Sequence, residues 1–192
     1  MRREVRIAGF GGQGIILAAI ILAEAVGTYE DREVAQTQSY GPEARGGAAR
    51  AEVVISDERI TYTKAMNPDI LLALSQPALD RYLSDIDRSR ALVLVDSTIV
   101  NNWPSDVARF YAIPATKLAE EVLGKRIVAN IIMLGALAAL SDVVALSSLQ
   151  KALAVHLSPT VLELNRRALE LGFQEGQRAK AGKESMAGRE SL

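Results

Sequence analysis

Glycines at positions 9, 11 and 14 of Gly9-Phe10-Gly11-Gly12-Gln13-Gly14 satisfy the spacing G-x-G-x-x-G. That spacing carries chemistry where it joins a strand to a helix. Glycine admits positive φ in the tight turn, the bare backbone lets a pyrophosphate come close, and the N–H groups opening the helix favour an anion. Gly11, Gly12 and Gly14 are therefore candidate site residues, and Gln13 offers an amide donor to a ligand or a facing chain. Dinucleotide binding also needs an acid at the end of the second strand, about twenty residues further on. There the chain reads Gln36-Thr37-Gln38-Ser39, with neither a carboxylate nor an arginine, which disfavours NAD and NADP. A Walker loop is excluded because no Gly-Lys-Ser/Thr follows. Two roles stay open for the turn: close packing of strand, helix and a neighbouring subunit, or reception of an anionic or nucleotide-like ligand.

A second candidate is the loop Ser39-Tyr40-Gly41-Pro42-Glu43-Ala44-Arg45-Gly46-Gly47. Arg45 presents a planar array of donors, and the amides of Gly46 and Gly47 can form an anion-receiving nest beside it. Glu43 can instead neutralise Arg45, so the loop either reaches a ligand or serves itself or a subunit contact. His156 is the single histidine. It falls near the end of an expected helix, where a cation suits the dipole better than it suits base catalysis. Asp57-Glu58 and Glu120-Glu121 read as solvated surface, and without clustered His and acidic ligands no transition-metal site is expected. Asn130 interrupts an apolar helix and needs a hydrogen-bond partner if buried, either core backbone or a facing subunit.

The elements that must position these residues follow from apolar patterning. Residues 5–8 form a strand candidate, and residues 15–26 an Ala/Ile/Leu helix that Gly27 is expected to stop. Residues 33–37 are the second strand. Residues 51–56 and 59–62, flanking Asp57-Glu58, suggest a hairpin. Residues 69–74 and 91–95 are continuous apolar runs of buried-strand type, the first followed by Pro77 at the opening of a helix to about Leu83. A strand at 109–113 precedes Pro114 and a helix at 116–123. Helices at 127–140, 147–157 and 160–171 then close the chain. Strands alternating with helices predict an α/β fold on a mostly parallel sheet flanked by helices, with a β-hairpin and a helical C-terminal part. One domain over residues 1–172 is expected, and residues 173–192 form a polar tail, either a frayed helix or disordered.

Composition narrows the function classes. In 192 residues, apolar side chains make up 49% and aromatics 5%, so the core rests on Ala, Val, Ile and Leu. With 22 basic against 23 acidic residues and a net charge of −1, no field holds a nucleic acid. The absence of cysteine removes disulfides, a thiol nucleophile and the thiolates that hold iron–sulfur clusters or structural zinc. The basic N-terminus runs into glycines before any signal-like stretch. The apolar runs at 15–23 and 127–140 fall short of the ~20 residues that cross a bilayer, so a cytoplasmic protein with no membrane partner is expected.

Three segments together carry a family resemblance: Gly9-Phe10-Gly11-Gly12-Gln13-Gly14; Thr37-Gln38-Ser39-Tyr40-Gly41-Pro42-Glu43-Ala44-Arg45-Gly46-Gly47; and Ala51-Glu52-Val53-Val54-Ile55-Ser56. They resemble the gamma subunit of 2-oxoacid:ferredoxin oxidoreductases, most closely the 2-oxoglutarate type, over about residues 6–140. The resemblance implies a complex that decarboxylates a 2-oxoacid on thiamine diphosphate with Mg2+, passes electrons through iron–sulfur clusters to ferredoxin, and delivers the acyl group to coenzyme A. It further implies that those cofactors sit on other chains: alpha and beta thiamine-binding subunits and a ferredoxin-like delta subunit or ferredoxin. This chain would be a Rossmann-like domain, noncatalytic alone. Gly11, Gly12, Gln13, Gly14, Ser39, Tyr40, Glu43, Arg45, Gly46, Gly47 and Asn130 would lie at a subunit interface or the coenzyme A approach. In isolation it is expected to expose an apolar face and self-associate. The competing expectation, resting on the glycine turn alone, is a stand-alone nucleotide-binding enzyme or sensor.

Overall fold

The computed structural model describes residues 1–39 and 49–190, with side-chain surroundings through residue 183. Six strands, β1 (Arg2–Gly9), β2 (Glu33–Ser39), β3 (Ala49–Ser56), β4 (Ile70–Ala73), β5 (Leu92–Asp96) and β6 (Arg109–Ile113), form one sheet in the order β2-β3-β1-β4-β5-β6. The β1–β4, β4–β5 and β5–β6 pairs are parallel, while β3 runs antiparallel to both neighbours. The helices are α1 (Ile15–Tyr29), α2 (Gln76–Tyr82), α3 (Ala115–Glu121), α4 (Ala129–Leu140), α5 (Leu146–His156) and α6 (Pro159–Glu190). The expected mostly parallel α/β architecture is borne out.

Strand alternation sorts side chains between two cores. Val5 and Ile7, Val53 and Ile55, Ile70 and Leu72, and Leu92 and Leu94 meet α1, α4, α5 and α6 on one face. Leu71, Ala73, Val93 and Val95 meet Ala78, Leu79 and Tyr82 of α2 on the other. After β1 the chain therefore covers one face with α1, and after β4 the opposite face with α2. The chain order reverses between those two strands, and a crevice opens there at their carboxyl ends, as it does in open α/β sheets generally.

Several boundaries differ from the patterning for identifiable reasons. β1 begins at Arg2 rather than Val5, because its charged positions are paired. Glu4 accepts from the N–H groups of Met66 (2.7 Å) and Asn67 (3.0 Å), and buried Arg6 pairs with Glu52 at 2.7 Å. Helix α1 passes through Gly27 to Tyr29, and the left-handed position expected there falls at Asp31, φ 52°. The hairpin expected between residues 51–56 and 59–62 is absent. β3 pairs with β1 on one edge and β2 on the other, so no edge is left for residues 59–62. The carbonyls of Tyr62 and Lys64 receive the Arg2 guanidinium instead. The antiparallel pair is β2 with β3.

The helix expected over 160–171 continues as α6 to Glu190. A Cβ on Gly172 would strike the Ile132 carbonyl oxygen, and one on Gly135 the Leu169 carbonyl oxygen. Glycine is thus what lets α4 and α6 cross backbone against backbone. In a helix interior glycine costs about 1 kcal/mol relative to alanine, a penalty this close approach offsets.

Candidate site at the glycine turn

β1 ends at Gly9, and the turn to α1 needs positive φ at Gly12 (87°) and Gly14 (73°). Among the described residues, no side chain caps the first turn of α1, whose N-cap is Gly14. Its opening N–H groups are left to solvent or to an incoming partner, where the helix dipole favours negative charge. Gln13 closes the turn from within: its Oε1 accepts from the Phe10 N–H at 2.6 Å, and its Nε2 donates to the Leu74 carbonyl at 2.8 Å. The amide expected to face outward thereby ties the β1 exit to the β4 exit.

Asn130 lies 4% exposed at the start of α4. Its Nδ2 donates to the Gly14 carbonyl at 3.0 Å, and its Oδ1 accepts from the Ile131 N–H at 2.9 Å. Of the two roles left open for Asn130, the structure displays the core bond to backbone. Among the described residues the turn, the β4 exit and α4 enclose a cavity of about 280 Å³ in contact with Gly12, Gln13, Leu74 and Asn130. Its far wall holds Asp96 and Thr116, and its rim Arg126 and Ile127. Asp96, fully buried at the end of β5, accepts from the Thr116 hydroxyl (2.6 Å), the Thr116 N–H (3.1 Å) and the Thr98 N–H (3.0 Å). That carboxylate anchors the start of α3 and has its acceptor sites engaged. The cavity thus offers apolar walls, an uncapped helix start, and one rim guanidinium, Arg126, beside Glu120 at 3.3 Å.

Asp96, Thr116, Arg126 and Ile127 escaped the sequence reading. Their signals were an acid closing a continuous apolar strand, a threonine two residues after Pro114, and a basic residue just ahead of the Asn130 helix. Ser39 ends β2, while Tyr40, Glu43, Arg45, Gly46 and Gly47 lie outside the described residues.

The sheet order bears on dinucleotide binding. β3 stands between β1 and β2, so the tip of β2 lies two strand spacings, about 10 Å, from the glycine turn. A ribose-holding acid at that tip is missing from the sequence and would stand a strand too far away as well. Among the described residues no group of three His, Asp or Glu side chains converges on a metal site, and no helix is long and apolar enough to cross a membrane.

Residues 4–175 match the sequence family described as pyruvate ferredoxin/flavodoxin oxidoreductase. The chain belongs to that family. Within it, the chain is 48% identical to the 2-oxoglutarate synthase subunit KorC of Methanocaldococcus jannaschii, over 91% of this chain and 94% of that one. The crystal structure of the keto/oxoacid ferredoxin oxidoreductase gamma subunit from Geobacter sulfurreducens superposes with a TM-score of 0.85 at 40% identity, covering 93% of this chain and 98% of that one. The 2-oxoglutarate:ferredoxin oxidoreductase of Magnetococcus marinus, with 2-oxoglutarate, coenzyme A and succinyl-CoA bound, shares the fold. Its TM-score is 0.80 at 23% identity, and the match covers 92% of this chain and 31% of that one. The gamma-subunit resemblance carried by the three sequence segments is borne out. In this pyruvate ferredoxin/flavodoxin oxidoreductase family member, the first of those segments is the turn that Gln13 and Asn130 hold closed.

Proposed function

We propose that the chain is the gamma subunit of a 2-oxoglutarate:ferredoxin oxidoreductase. The complex converts 2-oxoglutarate and coenzyme A to succinyl-CoA and CO2, passes two electrons to ferredoxin and releases the thiol proton. The observation that carries this reading is the 48% identity to a 2-oxoglutarate synthase subunit across nearly the full length of both chains. Thiamine diphosphate and Mg2+ are assigned to the alpha and beta partners by the family resemblance, and the iron–sulfur clusters to the other chains or ferredoxin, since this chain has no cysteine to hold a cluster.

The chain's own contribution is assembly and the approach of coenzyme A. The uncapped start of α1, the Arg126 guanidinium and the apolar cavity walls suit a ligand that is part phosphate and part apolar arm. Phe10, 40% exposed, and Ile127, 62% exposed, supply apolar surface beside it for a partner chain, and the same surface makes the isolated chain prone to self-association. The Tyr40, Glu43, Arg45, Gly46 and Gly47 segment is assigned to the same interface on its residue chemistry.

Coexpression with the genes beside it tests this. The expected product is a purified complex that reduces ferredoxin faster with 2-oxoglutarate than with pyruvate or 2-oxoisovalerate. Failure to join thiamine-binding chains would remove the subunit assignment, and preference for another 2-oxoacid would remove the substrate. Arg45→Ala then separates roles: lost assembly marks a structural loop, and intact assembly with a raised coenzyme A KM marks a ligand contact.

A further inference from the structure

The second face of the sheet carries a cationic recess on its β2–β3–β1 side that, among the described residues, shares no lining residue with the glycine-turn cavity. Arg50 sits opposite Ala8 in one ladder and Ser39 in the other. Arg81 enters from the last turn of α2. Their guanidinium carbons stand 5.7 and 5.6 Å from the ring centre of Tyr82, which is only 3% exposed and so forms a fixed platform. Arg, weakly hydrated and planar, packs readily on such a ring while leaving its forked edge free to bind.

Among the described residues, Ser39, Arg50, Arg81 and Tyr82 line a cavity of about 270 Å³, and Lys64 joins Arg50 and Glu52 around an adjoining recess of about 150 Å³. Among the described residues, the carboxylates beside the recess, Glu52 and Asp85, are engaged by Arg6. Glu52 pairs with Arg6 at 2.7 Å and reaches Arg50 only at 3.8 Å, and Asp85 also pairs with Arg6. Among the described residues, Arg6, Arg50, Arg81 and Lys64 thus face two acids, an excess of two positive charges at the recess of a chain whose net charge is −1. Two guanidinium forks on a common platform match the oxygens of a phosphate group, which accepts parallel N–H bonds.

We propose that this recess binds the phosphate group of a small phosphorylated ligand, with Arg50 and Arg81 as its donors. The proposal is independent of the subunit and substrate assignments above. Its test uses the purified full chain, titrated calorimetrically with inorganic phosphate and with pyrophosphate at constant ionic strength. Saturable pyrophosphate binding is expected, weakened roughly tenfold or more in Arg81→Gln and unchanged within about twofold in Arg126→Gln. Arg81 is exposed at the end of α2, and circular dichroism checks that its variant folds. Arg50→Lys keeps the charge but loses the fork, and is expected to weaken binding too.

Three outcomes overturn the proposal. One is no saturable binding. Another is loss in Arg126→Gln with retention in Arg81→Gln, which moves the anion to the glycine turn. The third is binding that vanishes when the chain is assembled with its partner subunits, which marks the recess as a seat for a partner's acidic side chain.

Discussion

The Asn130 side-chain amide donates to the Gly14 carbonyl, 3.0 Å away, across 116 residues of sequence. That carbonyl also receives the Ala18 N–H at 3.0 Å, the bond that opens α1. Asn130→Ala takes the side-chain acceptor from the buried Ile131 N–H and leaves the Gly14 carbonyl with the Ala18 N–H alone, and should cost about 1–3 kcal/mol. Urea denaturation of the purified chain measures it. An unchanged midpoint would show that the bond contributes nothing net.

Two glycines of the turn are expected to behave in opposite ways. At Gly14, φ is 73° and a Cβ would press on the Asn130 amide, so Gly14→Ala should lower stability by about 1–3 kcal/mol. At Gly11 nothing among the described residues lies within 4 Å of an added Cβ. Gly11→Ala should therefore fold with wild-type stability while weakening partner association or raising the coenzyme A KM. Thermal melts paired with a pull-down on the partner chains separate the two. Equal melting temperatures for both variants would contradict the geometry.

Where α4 and α6 cross, Gly172→Ala forces a methyl into the Ile132 carbonyl. Overpacking of this kind costs about 1–3 kcal/mol, and backbone has no rotamer by which to yield. Gly182, whose added Cβ meets nothing within 4 Å among the described residues, is the matched control, and Gly182→Ala should leave the chain as stable or more so. Denaturant midpoints of the pair decide the matter.

Acid should release one contact before the core fails. The Met1 amine donates to Asp57 at 2.7 Å, and Arg32 reaches its other oxygen at 3.1 Å. The hydrogen bond from the amine, aided by the charges of the amine and Arg32, holds the Asp57 carboxyl below its usual range. A carboxylate with a lowered folded value stabilises fully above its unfolded pKa, and that contribution is lost as pH falls through the folded value. The gap in urea midpoint between wild type and Asp57→Asn should thus be present at about pH 6 and shrink towards about pH 3. A gap that widened in acid would reverse the sign.

The parallel strands were legible because β4 and β5 are buried on both faces and read as unbroken apolar runs. β1 was legible only in part. Two of its buried positions are the charged Glu4 and Arg6, and nothing local announces that Glu52, 46 residues away, will neutralise Arg6. The strand at residues 51–56 was legible, but the same distance effect hid its partners, β1 and β2, and made Asp57-Glu58 look like a hairpin turn. At the site, glycine spacing marked the turn, but the inward aim of Gln13 depends on the Leu74 carbonyl at the end of another strand. Asn130 stood out as a polar residue in an apolar helix. Asp96 did not, because a carboxylate following a strand looks the same whether it caps a helix or faces water.

Backbone packed on backbone gives the α4–α6 crossing a mechanical character that side-chain packing lacks. Close-packed interiors transmit strain instead of absorbing it, and at Gly172 and Gly135 there is no side chain to rearrange. α6 runs 32 residues and meets α4 again at Gly176, where an added Cβ would press on Ala136 and Ala139. The helix held against α6 at this crossing, α4, also carries Asn130, whose amide donates to the Gly14 carbonyl that opens α1.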